Sequence, residues 1–160
     1  MNVALERVGA NDVRLQRLLQ LYLHEWSARV HVPIGPDALY TYPKLAPLDA
    51  YLFLDIDAEV PVGFALTCRD DRGTQHVEEM FVIAGARRSG VGRGAMHQLF
   101  AAHPGPWTLT VRPSNPEALA FWRRTTAELE STSADEREER GADGIVRTRF
   151  SFTMPARPSR

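Results

Sequence analysis

The chain has 160 residues, of which 44% are hydrophobic and 24% charged, and its formal net charge at pH 7 is −1. The length predicts a single compact domain over residues 1–154 and a disordered tail over residues 155–160. The balanced charge gives no general reason to expect nucleic acid as a partner, and the single cysteine excludes intrachain disulfides and cysteine-rich zinc sites.

The sequence lacks the features of exported and membrane proteins. Its N-terminal residues do not combine a basic region with an apolar stretch, so we expect no signal peptide. No apolar segment approaches the roughly 20 residues that cross a bilayer. We therefore expect a soluble, cytoplasmic chain without a membrane partner. Four histidines have no partners at metal-ligand spacing, so we expect no metal site: His24, His31, His97 and His103.

The first part of the chain predicts a strand, a helix and a loop. Val3–Val8 predicts a short strand, and an N-cap at Asn11 or Asp12 then begins a helix. The buried stripe of this helix recurs at helical spacing and consists of Leu15, Leu18, Leu19, Tyr22, Leu23 and Trp26. The proline-rich segment Val32–Pro47 predicts a rigid loop with a helical turn after Pro36.

Three strands are predicted next, in close order. They are Ala50–Ile56, Val60–Arg69 and His76–Ile83. Their short connections favour antiparallel neighbours. Cys68 lies in an apolar run of the second strand, which favours a small buried residue over a nucleophile.

The second half of the chain predicts two helices and two strands. The apolar side of the first helix consists of Ala95, Met96, Leu99 and Phe100. This helix ends at Pro104-Gly105-Pro106, and Trp107–Val111 predicts a strand. Asn115–Thr126 predicts the second helix. The polar segment Ser131–Gly144 predicts an exposed hairpin connection or a mobile loop, and Ile145–Met154 predicts a final strand.

A glycine-rich turn precedes the first of these helices. It reads Arg87-Arg88-Ser89-Gly90-Val91-Gly92-Arg93-Gly94. Glycines let the backbone approach a ligand closely, and the unpaired amides and dipole at a helix N-terminus favour an anion. The turn therefore predicts a phosphate site, with a solvated glycine turn as the alternative. It lacks the lysine of a P-loop, and three predicted antiparallel strands precede it, which disfavours a dinucleotide-binding fingerprint.

Three segments resemble the GCN5-related N-acetyltransferase (GNAT) superfamily. Arg87-Arg88-Ser89-Gly90-Val91-Gly92 matches its Gln/Arg-x-x-Gly-x-Gly/Ala signature, and Glu79-Met80-Phe81-Val82 is similar to its fourth strand. Downstream, Leu109–Trp122 resembles its strand-plus-helix motif. The resemblance covers nearly the whole chain. It implies an α+β fold, an α/β/α sandwich whose central mixed, mostly antiparallel sheet of about six or seven strands is flanked by about four helices.

The resemblance implies an acetyl-CoA-dependent N-acetyltransferase, in which a primary amine of a small molecule or an exposed amino group attacks the thioester directly. Acetyl-CoA would be the co-substrate, with its pantetheine arm on the backbone of the fourth strand and its pyrophosphate on the glycine-rich turn. The cofactor-binding residues that the resemblance implies are Phe81, Val82, Ile83, Arg87, Arg88, Ser89, Gly90, Val91, Gly92, Arg93, Gly94, Asn115 and Trp122.

A base must take a proton from the attacking amine. His76 and Glu78 share one face of their predicted strand, whereas Glu79 points to the other. The resemblance implies a base, a Glu or a His, at positions matching 76 or 78, so Glu78 and His76 are the expected catalytic residues. A β-bulge that exchanges the two faces is one alternative, and a polar strand end without a catalytic role is another. The loop over residues 32–47, with Tyr40 and Tyr42, is expected to form part of the acceptor site.

Two of the departures from the family pattern bear directly on the chemistry. Trp122 stands where the family usually has a tyrosine that protonates the leaving thiolate, so its ring is interpreted as packing or as a cofactor wall. Thr110 stands where ribosomal-protein N-acetyltransferases carry a catalytic glutamate, which argues against that substrate class. A non-catalytic CoA-binding module and a ligand-free interaction domain are the alternative functions. The acceptor and the oligomeric state, monomer or homodimer, stay open.

Overall fold

The computed structural model describes residues 2–42 and 45–156. In this part of the chain, three α-helices and a short 3₁₀ turn accompany a seven-stranded mixed sheet. The strands are β1 Val3–Val8, β2 Asp49–Asp55, β3 Val60–Arg69, β4 Gln75–Val82, β5 Gly105–Val111, β6 Thr132–Arg140 and β7 Val146–Met154. The helices are α1 Val13–Ser27, α2 Val91–Ala102 and α3 Pro116–Ala127, and the 3₁₀ turn is Ala84–Ala86. The expected α+β fold is confirmed, with one α-helix fewer than the four anticipated.

The chain divides into two compact units. The N-terminal unit comprises Met1–Thr67 and Glu79–Ala95, and the C-terminal unit comprises Cys68–Glu78 and Met96–Arg160. The boundaries therefore fall within β4 and within α2. The single domain expected over residues 1–154 stays a prediction.

The N-terminal unit packs α1 against strands. β1 pairs with β2, and β2 pairs with β3, both antiparallel, as the short connections predict. Of the two expected N-caps, the structure uses Asp12, whose carboxylate accepts from the backbone N–H groups of Arg14 and Leu15. The core of this unit consists of Leu15, Leu18, Leu19, Ala50, Leu52, Phe64, Leu66 and Phe81. The apolar stripe read from α1 thus faces the strands.

Gly63 on β3 allows the close approach of β4. A Cβ at this position would lie 2.3 Å from the Phe81 carbonyl oxygen and 2.9 Å from the Phe53 ring. No side chain fits at such distances without a shift of the backbone. Gly63 therefore determines how closely the end of β4 lies against β3.

The C-terminal unit has its own sheet pairing and core. β4 pairs with β5 in parallel, and β5 pairs with β7 antiparallel, with β6 beyond β7. The Phe100 ring meets those of Trp107 and Phe152 edge to face, at centroid distances of 4.8 and 4.9 Å. Such pairs add to the burial of apolar surface. This aromatic cluster lies in the core of the unit.

The prediction for Ser131–Gly144 is wrong. Residues 132–140 form strand β6, which pairs antiparallel with β7. This strand lies at the end of the sheet order, where one edge lacks a neighbour and a charged strand is tolerated because its side chains stay in water. An ion pair between Arg149 of β7 and Glu139 of β6, at 2.8 Å, links the two strands. The sequence of β6 lacks the apolar alternation by which a strand is usually predicted.

Smaller differences concern turns and strand ends. The helical turn expected after Pro36 is a tight turn, in which the Ala38 N–H donates to the Gly35 carbonyl at 3.0 Å. β5 begins at Gly105 rather than Trp107. Outside the described residues lie residues 43–44 of the predicted loop and residues 157–160 of the predicted tail. Across the described ranges, every helix is too short or too polar to cross a bilayer.

Candidate functional site

The glycine-rich turn after β4 has a defined shape. Arg88 (φ 62°) and Gly90 (φ 85°) both adopt left-handed backbone conformations. Glycine takes this conformation without strain, whereas an arginine takes it at a cost. The Ser89 hydroxyl donates to the Ala86 carbonyl at 2.7 Å and so braces the turn. The backbone thereby changes direction within a few residues and enters α2.

Positive charge surrounds the start of α2. The helix begins at Val91, and the N–H groups of a first helical turn have no acceptor within the helix. The Arg93 guanidinium lies 4.0 Å from the position that a Cβ on Gly90 would take, and the Arg88 side chain is exposed. Backbone donors, a helix dipole and the nearby Arg93 guanidinium give the start of α2 the chemistry of a phosphate cradle. Phosphate binding by this turn stays a prediction.

Arg87 is engaged elsewhere in the N-terminal unit. Its Nε donates to the Val82 carbonyl at 2.8 Å, and its Nη2 pairs with the Glu25 carboxylate of α1 at 2.6 Å. Its guanidinium carbon lies 5.5 Å from the centre of the Phe81 ring. Arg87 therefore ties the end of β4 to α1. Its predicted role as a phosphate ligand stays a prediction.

The end of β4 already uses some of the backbone groups expected to meet pantetheine. The Ile83 N–H donates to the Val62 carbonyl of β3 at 2.9 Å, so it is not available to an added strand. The Val82 carbonyl accepts from Arg87 but keeps a second lone pair. The phenyl ring of Phe81 is buried. An added strand is therefore expected at the backbone of Phe81 and Val82.

Glu79, which the sequence ranks behind Glu78 and His76, lies in a cluster of hydroxyl groups. The Tyr22 hydroxyl of α1 donates to one of its carboxylate oxygens, and the Tyr42 hydroxyl donates to the other at 3.2 Å. Glu79 is half-buried, and Phe81, two residues further on, points to the same side of β4. The Phe81 ring meets the Tyr22 ring at 5.8 Å. Two hydroxyl donors from distant segments thus orient this carboxylate.

Aromatic rings surround the Tyr22 side chain. Its ring stacks on Trp26 at 6.3 Å and meets the edge of Phe64 at 5.8 Å. Phe64 in turn lies 5.8 Å from Phe81. The Tyr22 ring therefore packs against the buried core of the unit, to which Phe64 and Phe81 belong.

The loop that carries Tyr42 is fixed to α1 by one amide side chain. The Gln20 Nε2 donates to the Tyr40 carbonyl, and its Oε1 accepts from the Tyr40 N–H, each at 2.8 Å. This pair of bonds imitates the pairing between two strands. An isolated bridge between Ile34 and Tyr40 closes the loop on itself. The tyrosine-bearing segment is thus held in one position on α1.

The expected catalytic residues lie in the C-terminal unit. His76 Nδ1 lies 2.8 Å from the Thr108 hydroxyl on β5, and burial lowers the pKa of this histidine. Glu78 is exposed, and its carboxylate accepts from the Cys68 thiol at 3.0 Å. Both candidates therefore have a hydrogen-bond partner from a neighbouring strand. Their catalytic role stays a prediction.

Asn115 and Trp122 have structural contacts in the C-terminal unit. The Asn115 side chain accepts from the Ala118 N–H at 3.2 Å and caps α3. Trp122 is only 6% exposed, and its ring contacts those of Phe121 and Phe100. This position accords with the packing interpretation of Trp122. Within residues 2–42 and 45–156, no three His, Cys, Asp or Glu side chains are grouped as metal ligands.

Sequence reasoning did not predict the contact between Glu79 and Tyr22, for identifiable reasons. The strand alternation correctly placed Glu79 on the face opposite Glu78, but nothing local indicated what that face contacts. Tyr22 was read only as part of the apolar stripe of α1. The one usable signal was Tyr42, because a rigid loop rich in proline often presents aromatic side chains to a ligand.

The comparison with protein families finds one match. A family described as "Acetyltransferase (GNAT) family" matches residues 15–126 of the chain. The matched segment includes most of α1, the glycine-rich turn and most of α3. No curated protein matches the chain.

Solved structures with the same fold are numerous. A GNAT-family acetyltransferase from Staphylococcus aureus is 13% identical, with a TM-score of 0.66 over 96% of this chain and 100% of that one. An acetyltransferase from Salmonella typhimurium, solved with its cofactor acetyl-CoA, is 12% identical, with a TM-score of 0.63 over 100% and 98%. The ribosomal-protein-S18-alanine N-acetyltransferase from Escherichia coli is 13% identical, with a TM-score of 0.57 over 98% and 97%. At these identities the likeness shows the fold alone.

Proposed function

Since the chain belongs to the acetyltransferase (GNAT) family, we propose that it is an acetyl-CoA-dependent N-acetyltransferase that acts on a primary amine. The observation that carries the proposal is the charged cradle at the start of α2. A turn braced by Ser89, with Arg88 and Arg93 around it, suits the pyrophosphate of coenzyme A. The similar structure from Salmonella typhimurium, solved with acetyl-CoA, supports the choice of this co-substrate.

The residues of the N-terminal unit fit such a ligand. Residues 88–94 would hold the pyrophosphate, and the backbone of Phe81 and Val82 would pair with the pantetheine arm. A backbone N–H at this end of β4 would donate to the thioester carbonyl oxygen, where negative charge develops during attack. When it is bound, acetyl-CoA supplies the activated acetyl group. The protein supplies position and hydrogen-bond donors.

The acetyl group is transferred by direct attack of the amine on the thioester. The lone pair of the neutral amine nitrogen forms a bond to the thioester carbonyl carbon, and the bond from that carbon to sulfur breaks. The proton leaves the nitrogen for a base, and the thiolate takes a proton from water. Because Trp122 has no hydroxyl group, no tyrosine is available at that position as the proton donor.

The proton acceptor is expected on β4. Glu78 and His76 keep the role that the sequence predicts for them, since Glu78 is exposed and burial favours the neutral, proton-accepting form of His76. Glu79 is the third candidate and lies on the opposite face of the strand. The acceptor is a small molecule or an exposed amino group.

A non-catalytic CoA-binding module is the second candidate function. One observation favours it: the ring of Trp122 is packed in the core at the position where the family usually carries its acid. Such a module would bind acetyl-CoA and leave it intact.

Two measurements test the proposal. Calorimetric titration with acetyl-CoA measures binding, and free-thiol release with a panel of primary amines measures transfer. We expect Arg88→Gly to weaken binding by about tenfold, because one charge-assisted contact to phosphate is lost while the left-handed backbone is kept. The matched control is Arg72→Gly, which removes an exposed arginine from the turn between β3 and β4.

Each result has a distinct meaning. Binding with amine-dependent thiol release supports the acetyltransferase. Binding of acetyl-CoA without thiol release, with every amine of the panel, supports the non-catalytic CoA-binding module. A parent protein that does not bind acetyl-CoA, or an Arg88→Gly variant that binds as well as the parent, contradicts the site at the start of α2.

A further inference from the structure

We infer that Arg87 is a positioning residue for the co-substrate: Glu25 holds its guanidinium against the Val82 carbonyl, which is thereby oriented toward an amide N–H of the pantetheine arm. This inference rests on the proposed function and deepens it. It gives Arg87 a role other than that of the phosphate ligand, which its place in the glycine-rich turn predicts.

The first step concerns the direction of the Val82 carbonyl. The Ile83 N–H donates to the Val62 carbonyl of β3 at 2.9 Å. The peptide between Val82 and Ile83 is trans, so its C=O and its N–H point in opposite directions. The Val82 carbonyl therefore points away from β3.

The second step concerns the other side of β4. This strand lies between β3 and β5 in the sheet order. In the described part of the chain, its pairing with β5 covers only Gln75–Val77. The Val82 carbonyl thus lies beyond the paired residues, where a strand edge can accept an N–H from an added extended chain. The pantetheine arm is such a chain, because it carries amide groups.

The third step is the hydrogen bond from Arg87. Its Nε–H donates to the Val82 carbonyl at 2.8 Å. Hydrogen bonds from a charged donor are stronger than those between neutral groups, so this bond fixes the plane of the peptide. A carbonyl oxygen has two lone pairs, and the second stays available to a ligand. The carbonyl is therefore oriented before the ligand arrives, which lowers the entropic cost of binding.

Three contacts hold the Arg87 side chain itself. Besides the bond to Val82, its Nη2 pairs with the Glu25 carboxylate of α1 at 2.6 Å. Its guanidinium carbon also lies 5.5 Å from the centre of the Phe81 ring, within the range of a cation–π contact. A long arginine side chain loses much rotamer freedom when it is fixed. Here α1 and β4 fix it within the folded chain, so ligand binding does not bear that cost.

The same contacts argue against a phosphate ligand. The charge of Arg87 is balanced by Glu25, and the guanidinium would have to leave both Glu25 and Val82 to reach a phosphate. The neighbouring Arg88 has an exposed side chain and a left-handed backbone within the turn. Arg88 is therefore the proposed phosphate ligand of the two, and Arg87 serves the pantetheine arm.

The two halves of coenzyme A separate these roles. Pantetheine carries the amide groups without phosphate, whereas ADP carries the pyrophosphate without the pantetheine arm. Displacement titration calorimetry against bound acetyl-CoA measures the Kd of each half. We expect Arg87→Met to weaken pantetheine binding by about fivefold, the value of one hydrogen bond, while the Kd of ADP stays within about twofold.

Two further variants are controls. Arg88→Gly is expected to give the reciprocal result, with ADP binding weakened by about tenfold and the Kd of pantetheine within about twofold. Arg7→Gln removes an exposed ion pair with Asp49 in the same unit, and it is expected to bind both halves as the parent does. Thermal unfolding reports the stability of every variant.

Glu25→Gln tests the contribution of α1 at an exposed position, and it serves as the test should Arg87→Met fail to fold. We expect it to weaken pantetheine binding by about two- to fivefold, because a half-exposed ion pair contributes little. Added to Arg87→Met, it is expected to have no further effect, since both residues act through one hydrogen bond to Val82.

The remaining outcomes overturn the inference. If Arg87→Met weakens ADP and spares pantetheine, Arg87 is a phosphate ligand. If it weakens both halves equally, or lowers only the thermal midpoint, its role is structural. Tighter pantetheine binding would show that the arginine competes for the carbonyl.

The parent protein separates this inference from the proposed function. If acetyl-CoA binds and pantetheine does not displace it, the end of β4 contributes no affinity, so the inference is wrong and the proposed function stands. A parent that does not bind acetyl-CoA contradicts the proposed function itself.

Discussion

Glu78 and Glu79 are adjacent on β4, yet their side chains have different surroundings. Glu78 is exposed and accepts from the Cys68 thiol, whereas Glu79 is half-buried and accepts from two tyrosine hydroxyls. Successive side chains of a strand point to opposite faces, so a shift of one position exchanges the two environments. The chemistry available to each of these two glutamates therefore depends on the register of β4 more than on the presence of a carboxylate.

His76 makes the stability of the protein depend on pH. Burial lowers the pKa of this histidine below its ordinary value of 6.5. The unfolded chain therefore binds more protons than the folded chain, and the free energy of unfolding falls as the pH drops below about 6.5. We expect His76→Gln to flatten this fall between pH 7.5 and 5.5, as measured by urea unfolding.

The control for this prediction is His31→Gln, because His31 is exposed. It is expected to keep the parental dependence on pH. The range ends at pH 5.5 so that the titration of ordinary carboxyl groups contributes little. If His76→Gln loses stability on acidification as steeply as the parent, burial of His76 is not the cause.

At the scale of elements, β6 shows that a strand needs no apolar pattern when it lies at the edge of a sheet. Its residues 134–140 are all exposed. The strand is held by its ladder to β7 and by ion pairs, one to Arg149 of β7 and one from Glu136 to Arg123 of α3. Charged side chains also keep such an edge from pairing with other chains.

The start of α3 offers a test between two roles of Asn115. Its side chain caps the helix in this structure, whereas the family resemblance implies contact with the cofactor. We expect Asn115→Ala to cost about 1 kcal/mol of unfolding free energy, because the Ala118 N–H loses its acceptor. Asn115→Asp should keep most of the stability, since aspartate caps equally well.

Denaturant unfolding and calorimetric binding of acetyl-CoA measure the two roles separately. If Asn115 only caps α3, the Asn115→Ala variant loses unfolding free energy while its affinity for acetyl-CoA stays unchanged. An Asn115→Ala variant of parental stability that binds acetyl-CoA at least about tenfold more weakly would show instead that the side chain serves the cofactor.

At the scale of the whole molecule, each compact unit has its own buried core. The N-terminal core joins α1 to its strands through Leu15, Leu19 and Phe64, and the C-terminal core gathers aromatic rings around Phe100. The cradle at the start of α2 and the Glu79 cluster both belong to the N-terminal unit. The end of β4 and the glycine-rich turn therefore belong to one compact unit.

Acetyl-CoA is expected to stabilise the folded chain. A ligand present at 100 times its Kd adds about 2.7 kcal/mol when only the folded state binds it. For a chain of this size that corresponds to a rise in Tm of roughly 5–10 °C. Differential scanning calorimetry measures the rise, and pantetheine, which lacks the pyrophosphate, is the control ligand. An equal rise with pantetheine would show that the cradle at the start of α2 contributes nothing to binding.

Much of the fold follows from local sequence features. The bounds of β1 agree with the prediction, and the apolar stripe and cap of α1 lie where the periodicity and the residue types place them. The glycine-rich turn could be located because its motif is contiguous, and the family it resembles is the family to which the chain belongs. Features of this kind depend on neighbours within a few residues, so a single chain can show them.

The tertiary structure decided the contacts between distant segments. Tyr22 and Tyr42 reach Glu79 from 57 and 37 residues away in sequence. Arg87 reads as a phosphate ligand in its motif, yet α1 supplies Glu25 as its partner. Residues 132–140 form strand β6 because their backbone pairs with that of β7. In each case the outcome depends on which elements pack together and in which register, and side-chain spacing within one segment carries no information about that.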